Sequence, residues 1–457
     1  MSEDDRWVED GATPDIVPES ARELVVLVES TDAAVVALWW WDGDDRRTTF
    51  AFDVDPTPPD DGSTVDVRSV EADRPVAPPV PLAAVDAVRP LPTAASATAA
   101  LPDDPSRRAA LLRGLAAHAP ELVDVSVVLC LLTSTTEDVP ALTDALGCLS
   151  TLAADRPDDC VAAIPSVHAL VTDPTDHAVH AAALTCLAAL AAACPEEVAP
   201  HVESTFSGLE SSDSTVVTAA VTCVSHVASG DPESVIDATD RLVRLMTAAD
   251  PTVRIHAAFA LGRVAVVAPE VVRPDVASLA RVVGDETERT AARLNATCAV
   301  GRVAGEWPDA VVEHLPTFVG ALGDGDSGIR ANAAGVVGDV ATTHAVAVRR
   351  HVDALLACLD DDDSVARANG STALARVARE FPETVAPHVD RLVDALDDTD
   401  ALVRENVCWT LGYLRDDART ARPVLERVRT DDGDERVRGR AAWALDEVGH
   451  GGVGATE

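Results

Sequence analysis

The segment VRENVCWTLGYL, which spans Val403–Leu414, places side chains suited to ligand binding inside an otherwise apolar pattern. The amide of Asn406 can donate and accept hydrogen bonds, and Trp409 and Tyr413 each offer a large apolar face with one polar atom. On a helical wheel of about 100° per residue these three side chains cluster away from the predicted core. The core face of the same helix carries Val403, Val407, Leu411 and Leu414.

The arrangement recurs along the chain, and each copy can be numbered from an Arg that closes the pattern D-x-x-V-R or a variant of it. This Arg occurs at Arg254, Arg293, Arg330, Arg367, Arg404 and Arg438, with spacings of 39, 37, 37, 37 and 34 residues. We define the stripe as the residues two, five and nine positions after each of these Args. Its candidate partner-binding members are Asn295, Asn332, Asn369, Asn406, Trp409, Tyr413 and Trp443.

Asn fills the first stripe position in four consecutive copies, although Asn is only a moderate helix former. Two interpretations of these side chains remain open. In the first, they hydrogen-bond across neighbouring copies and hold adjacent helices together. In the second, they form a row of amides that binds the backbone of a partner, since an amide donates and accepts at once.

The sequence lacks common signatures of catalysis and of metal binding. The sequence has no P-loop pattern, no G-x-G-x-x-G after a strand and no G-x-S-x-G element. The nine Cys include no CxxC pair, and Cys148, Cys186 and Cys223 are interpreted as small core residues. Acidic runs such as Asp360–Asp363 are interpreted as solvated turns. His201 and His388 are interpreted as exposed or half-buried helix residues. No catalytic residue, cofactor site or metal ligand is therefore predicted.

The charge of the chain is strongly negative: 77 acids against 36 bases give a net charge of -41, and the chain contains no Lys. The acids are spread along the chain, which is typical of proteins that work in molar salt, where charge repulsion is screened within about 3 Å. The composition therefore indicates a halophilic archaeon as the source. It also opposes the binding of nucleic acid, although the series of Args leaves that alternative open.

Each copy of the pattern belongs to a repeat of about 37 residues that contains two helices. The second helix, typified by the segment from Ser364, has a predicted core of Val365, Ala373, Leu374 and Val377. A second Pro within the first helix, as at Pro387, predicts a kink. The Pro that opens the first helix recurs at Pro120, Pro157, Pro195, Pro232, Pro269, Pro308 and Pro382, with His344 in place of the missing member.

The repeat length, the D-x-x-V-R start of the second helix and the inner Pro resemble HEAT repeats, which are close relatives of armadillo repeats. The resemblance implies a superhelical scaffold whose second helices line a concave face. HEAT-like di-iron hydroxylases use His-Glu dipeptides, and this chain contains none. Armadillo helices pair a Trp with an Asn four residues later, whereas Trp409 is followed by Tyr413 at that distance.

The first hundred residues lack the repeat. ESARELVVLVES predicts an amphipathic helix, whereas VVALWWW and RRTTFAFDV predict a β-hairpin with Trp39–Trp41 in a small local core. Eleven of the 29 Pro lie between residues 53 and 105, which is typical of an extended linker. The predicted organisation is an N-terminal segment over 1–55, a Pro-rich linker over 56–104, a repeat array over 105–449 and a flexible tail over 450–457.

We therefore expect an all-α fold, a right-handed α-solenoid of HEAT-like helical hairpins with a small N-terminal α/β or helical segment. The expected function is that of a non-catalytic cytoplasmic scaffold or adaptor, without a cofactor or a membrane span, which binds a protein partner through the concave face. Two alternatives remain. One is an enzyme, lyase-like or hydroxylase-like, that uses the solenoid as a substrate cradle, and the other is a HEAT protein that binds nucleic acid.

Overall fold

The computed structural model describes residues 101–449 except 102, 119, 136, 137 and 175, together with the backbone of eight strands between residues 23 and 90. The tail predicted over 450–457 and the side chains of Trp39–Trp41 lie outside the described residues. The chain divides into two compact units, residues 1–227 and residues 228–457.

Strands precede the helices in the first unit. They are β1 Glu23–Val28, β2 Ala34–Trp41, β3 Arg47–Val54, β4 Thr64–Val65, β5 Val67–Ser69, β6 Arg74–Pro75, β7 Val80–Pro81 and β8 Val85–Pro90. Six of them form a sheet in the order β6-β5-β3-β2-β1-β8, and β4 pairs with β7. β2 is antiparallel to both β1 and β3, whereas β8 is parallel to β1.

Two expectations for this region differ from the structure. The segment interpreted as an amphipathic helix contains β1, whose sequence ELVVLV is rich in β-branched Val and therefore suits a pleated strand. The short strands β4 to β8 lie within the predicted Pro-rich linker.

Helical hairpins occupy the rest of the first unit. Helix α1 (Pro105–His118) precedes three hairpins whose second helices are α2 (Val139–Asp155), α3 (His177–Ala193) and α4 (Ser214–Gly230). Helices α1, α2 and α3 contact one another in succession. The first helices of these hairpins are Val125–Ser134, then Pro157–Cys160 with Ile164–Thr172, then Pro195–Val198 followed by the 3-10 segment Ala199–Glu210.

Six hairpins follow in the second unit, and their second helices contact one another in sequence order. These are α5 (Pro251–Val267), α6 (Thr290–Glu306), α7 (Ser327–Val348), α8 (Ser364–Glu380), α9 (Ala401–Leu414) and α10 (Glu435–Gly449). The first helices are Thr239–Leu245, Pro269–Val272 with Val276–Gly284, Leu315–Ala321, Val352–Cys358, Pro382–Val385 with Val389–Ala395, and Arg422–Asp431. Within the described part of 101–449 every regular element is a helix, so the repeats are all-α and HEAT-like, as expected.

Local sequence explains where the second helices begin and which face is buried. The Asp of D-x-x-V-R is the N-cap: Asp363 Oδ1 accepts hydrogen bonds from the Val365 and Ala366 amides at 2.8 and 3.0 Å. The predicted core of α9 is confirmed, since Val403, Val407, Leu411 and Leu414 are all at most 2% exposed. In α8 the prediction was wrong for Val365, which is 55% exposed, because Ala366 takes the corresponding core position and is 1% exposed.

Successive repeats are joined by one extended residue rather than by a loop. Trp307 and Phe381 have φ/ψ of -132°/72° and -136°/63°, and each precedes a Pro, which disfavours a helical conformation at that residue. His344 has φ/ψ of -122°/40° and corresponds to Trp307 and Phe381, so Ala345 takes the position of the missing Pro, not His344 as predicted. The bend therefore forms without Pro, which indicates that packing between repeats imposes it.

The kink within the first helix also forms both with and without Pro. The 3-10 segment Ala386–His388 interrupts the first helix at Pro387, as predicted. The equivalent 3-10 segment Arg349–His351 contains no Pro and interrupts its helix at the same place. Proline is therefore compatible with the kink but is not its only cause.

Candidate functional site

A ladder of ion pairs fixes the first turn of the second helices. Arg367 donates to both carboxylate oxygens of Asp398 in the next repeat, at 2.7 and 3.1 Å, and to the Asp361 carbonyl oxygen at 2.9 Å. The Asp398 side chain is only 8% exposed. The same bidentate contact joins Arg330 to Asp361 and Arg404 to Asp432. These Args are therefore committed to holding repeats together and do not form a basic surface.

The ladder also sets the protonation of its carboxylates. The Arg330 guanidinium lowers the pKa of Asp361 to about 2, and Arg404 likewise lowers the pKa of Asp432. Both carboxylates consequently stay ionised at any pH near neutrality.

The second helices present three distinct sides. Gly412, eight positions after its repeat Arg, faces the following repeat, since a Cβ at this Gly would lie 2.7 Å from Cη2 of Trp443. Position two lies about 120° away around the helix and faces the preceding repeat. There Asn369 Nδ2 donates to the Ala331 carbonyl oxygen at 2.8 Å. Positions five and nine lie between these two sides and away from the core.

The structure places the four Asn of the stripe in different environments. Asn369 and Asn406 are bonded to the preceding repeat, and Asn406 is only 8% exposed, with Nδ2 3.0 Å from Ser371 Oγ and 2.8 Å from Thr372 Oγ1. Asn332 instead donates to Gly328 within its own helix at 2.8 Å. Asn295 is half-buried. The contacts of Asn369 and Asn406 correspond to the first interpretation, in which Asn joins neighbouring repeats.

The aromatic members of the stripe come together at its C-terminal end. The Trp409 ring lies 5.6 Å from Tyr413 in a stacked arrangement and 4.6 Å from Trp443, and Tyr413 meets Trp443 edge-on at 5.4 Å. All three side chains are half-buried. Gly412 makes this packing possible because it leaves room for the Trp443 ring. We call Trp409, Tyr413 and Trp443 the aromatic cluster.

Arg440 completes the aromatic cluster and was not among the predicted residues. Its guanidinium carbon lies 3.3 Å above the centre of the Trp409 ring and 5.7 Å from that of Trp443. Its Nη2 is 3.8 Å from Glu405. The sequence contained a signal, since Arg440 occupies position two of the last repeat, where the four preceding repeats carry Asn. The stacking itself depends on the distance between α9 and α10, which the sequence does not reveal.

Two exposed apolar residues extend the same side of the helices. Val365 and Leu402 lie two positions before their repeat Args and are 55% and 43% exposed. On the wheel this position lies within about 20° of position nine, so both belong beside the stripe. Leu402 lies seven residues before Trp409 on α9, about 10 Å away along the helix axis, so it extends the apolar area of this side toward the start of the helix.

Two Cys thiols lie at or beside the stripe. Burial raises the pKa of Cys408, next to the stripe, to about 12 and raises that of Cys298, within the stripe, so both thiols are protonated and poor nucleophiles. In the part of the chain that the structure describes, no three His, Cys, Asp or Glu side chains are grouped to hold a metal ion. Likewise, no helix of that part has the length and apolar character needed to cross a bilayer.

An open cleft of about 950 Å³ lies between the first helices of two adjacent repeats, with Gly284, Thr317 and Gly320 among its lining residues. Some of its charged groups already have partners within the protein. Arg293 bonds to Asp324, and Asp326 caps α7 through the Ile329 amide at 3.0 Å. The cleft therefore offers little unpaired polar chemistry from these residues.

Comparison with known proteins supports the fold. Residues 352–446 match the family described as HEAT repeats, and this span includes the aromatic cluster. The crystal structure of an engineered protein determined by a structural genomics consortium is similar to this chain, with a TM-score of 0.68 and 24% identity over 76% of this chain and 96% of the engineered one. No curated protein matches the sequence.

Proposed function

We propose that this protein is a non-catalytic scaffold or adaptor that binds a protein partner through the stripe of its C-terminal repeats. The observation that carries the proposal is the aromatic cluster, in which three large rings on adjacent helices remain half-exposed. Aromatic and Arg side chains contribute most of the binding energy at protein interfaces, because they bury a large area at a small entropic cost.

The position of the cluster supports the same conclusion. It lies within residues 352–446, the span that matches HEAT repeats, and such repeats generally serve as scaffolds for protein interactions. Leu402 and Val365 add apolar area beside it. The high acidic charge without Lys supports action in the salt-rich cytoplasm of a halophilic archaeon.

The proposed contact residues differ from those that the sequence favoured. Asn369 and Asn406 are removed from the binding role, because their amides already bond to the preceding repeat. Trp409, Tyr413 and Trp443 are kept, and Leu402 is added. Replacing Asn369 or Asn406 would therefore test the stability of the array and not its binding surface.

The experiment starts with affinity purification of the tagged full-length protein from its own cells, in which mass spectrometry identifies a stoichiometric partner. The purified partner is then titrated against the wild type and against Trp409→Ala and Leu402→Ser. We expect Trp409→Ala to weaken binding by about thirtyfold, which is typical of an interface residue that dominates affinity. Circular dichroism checks that each variant is folded.

Val346→Ser is the matched control. Val346 is also aliphatic and is 63% exposed, but it follows the bend at His344 in α7, where the next repeat begins, and so lies away from the stripe. This variant should bind the partner as the wild type does. Equal affinity of Trp409→Ala, Leu402→Ser and Val346→Ser would contradict the proposal.

A further inference from the structure

The charge balance of the stripe is opposite to that of the chain. Over the six repeats of the second unit its basic members are Arg263, Arg302, Arg376 and Arg440, and its acidic members are Asp339 and Glu447. Bases thus outnumber acids two to one on the stripe, whereas the whole chain has 36 bases and 77 acids. A surface that reverses the charge of its surroundings favours a partner of the opposite sign.

The acidic and basic side chains of the second unit lie at different places along its helical hairpins. Many acids of the second unit lie in the hairpin turns, where Asp361, Asp398 and Asp432 bind the ladder Args and Asp363 and Asp400 cap helices. The stripe lies farther along the second helices. Within it the Arg376–Asp339 pair, at 3.1 Å, joins adjacent repeats and cancels locally. Glu405 lies 3.8 Å from Arg440 Nη2 and offsets part of its charge, whereas Arg263 and Arg302 have no ion pair among the described residues.

Two of these Args have donors left for a ligand. Arg302 is exposed, and none of the hydrogen bonds or ion pairs found among the described residues involves it. Arg440 lies flat on the Trp409 ring, and its side chain is 26% exposed. Its Nε is buried, and its Nη2 is 3.8 Å from Glu405, too far for a hydrogen bond, so the Nη groups keep donors for a ligand. A guanidinium stacked on an indole directs its N–H groups outward in its own plane, which is the geometry that binds a carboxylate.

We infer that the stripe binds an acidic, partly apolar segment of the partner, with carboxylates at Arg302 and Arg440 and separate apolar side chains on Trp409 and Leu402. This inference rests on the proposed function and specifies the chemistry of the partner. Four helix spacings of about 8–10 Å separate Arg302 from Arg440. An extended peptide needs about ten to twelve residues to cover that distance. Nucleic acid fits less well, because a long polyanion would also meet the acids of the turns.

The test measures fluorescence anisotropy of a fluorescein-labelled 14-residue peptide of Glu, Ser and two Leu with the full-length protein. Counterpart peptides carry Gln or Lys in place of Glu. At about 0.15 M salt, where charges act over about 8 Å, the Glu peptide should bind at least about tenfold more tightly than the Gln peptide, since several pairs of up to about fivefold each contribute.

Charge reversal locates the binding surface. Arg302→Glu and Arg440→Glu should each weaken binding of the Glu peptide by about fivefold or more. The matched control is Arg281→Glu, because Arg281 is also exposed and belongs to the same repeat as Arg302, but lies on its first helix. It should change affinity by less than about twofold, since a distant exposed charge is screened.

Several results would overturn the inference: equal binding of the Glu and Gln peptides, stronger binding of the Lys peptide, an equal effect of Arg281→Glu and Arg302→Glu, or no binding of any peptide. A 14-nucleotide single strand that bound with the same dependence on Arg302 and Arg440, and more tightly than the Glu peptide, would assign the stripe to nucleic acid. In each case the proposed function is judged separately by the effect of Trp409→Ala on the purified partner.

Discussion

The ladder pair Arg367–Asp398 should stabilise the fold far more than a surface pair of the same length. Its shortest contact is 2.7 Å, as is that of Arg427–Asp397, but the side chains are 13% and 8% exposed in the first pair and 52% and 72% exposed in the second. At about 4 Å between charge centres, the attraction is about 4 kcal/mol at the effective dielectric of a partly buried site and about 1 kcal/mol in water. Desolvation and side-chain ordering reduce both values.

A double-mutant cycle with Ala at each position isolates the two couplings. We expect about 2–3 kcal/mol for Arg367–Asp398 and less than about 1 kcal/mol for Arg427–Asp397. Arg367→Ala alone should cost about 3–5 kcal/mol, because it leaves a buried carboxylate without its partner.

The assay is urea unfolding followed by Trp fluorescence, to which Trp409 and Trp443 of the C-terminal repeats contribute two of the seven Trp in the chain. Since a repeat array can unfold in segments, hydrogen exchange of α8 and α9 should accompany it. Similar coupling energies for the two pairs, or a ladder coupling below about 1 kcal/mol, would refute the argument from burial.

Three further predictions concern single positions. The folded pKa of Asp361 is about 2, below its ordinary 3.8, so its contribution to the free energy of unfolding should be constant above about pH 4 and fall between pH 4 and 2. Urea midpoints of the wild type should show this loss of stability, and Arg330→Met should make the loss smaller. Asn406→Ala should destabilise the fold by about 1–3 kcal/mol and Asn295→Ala by less than about 0.5 kcal/mol, since of these two only Asn406 is a buried donor to the preceding repeat. Equal losses would show that Asn406 does not hold neighbouring repeats together. Arg415 ends α9 at a φ of 52°, a strained conformation for any residue except Gly, so Arg415→Gly should raise the unfolding free energy by about 1 kcal/mol. A lower unfolding free energy in this variant would show that the side-chain contacts of Arg415 outweigh the backbone strain.

The sequence contained enough information for the architecture of the repeats. Period, helix starts and most core residues are properties of local chemistry: Asp363 caps α8 because its carboxylate accepts backbone amides, and Val403 and Leu411 are buried because helical spacing puts them on one side. Such features act within one helix, so a sequence pattern can reveal them. Where local preferences were balanced, as in the Val-rich segment that forms β1, the pattern was misread as a helix.

Tertiary structure alone decided which side of each second helix is available. Asn369 and Trp409 both lie on the polar side of the wheel, but only the spacing of neighbouring helices shows that Asn369 bonds to the preceding repeat while Trp409 remains half-exposed beneath Arg440. The bend at His344 forms without the Pro that the other repeats supply. These features depend on contacts between residues about 37 positions apart, and such contacts are set by the packing of whole repeats rather than by the preference of any single residue.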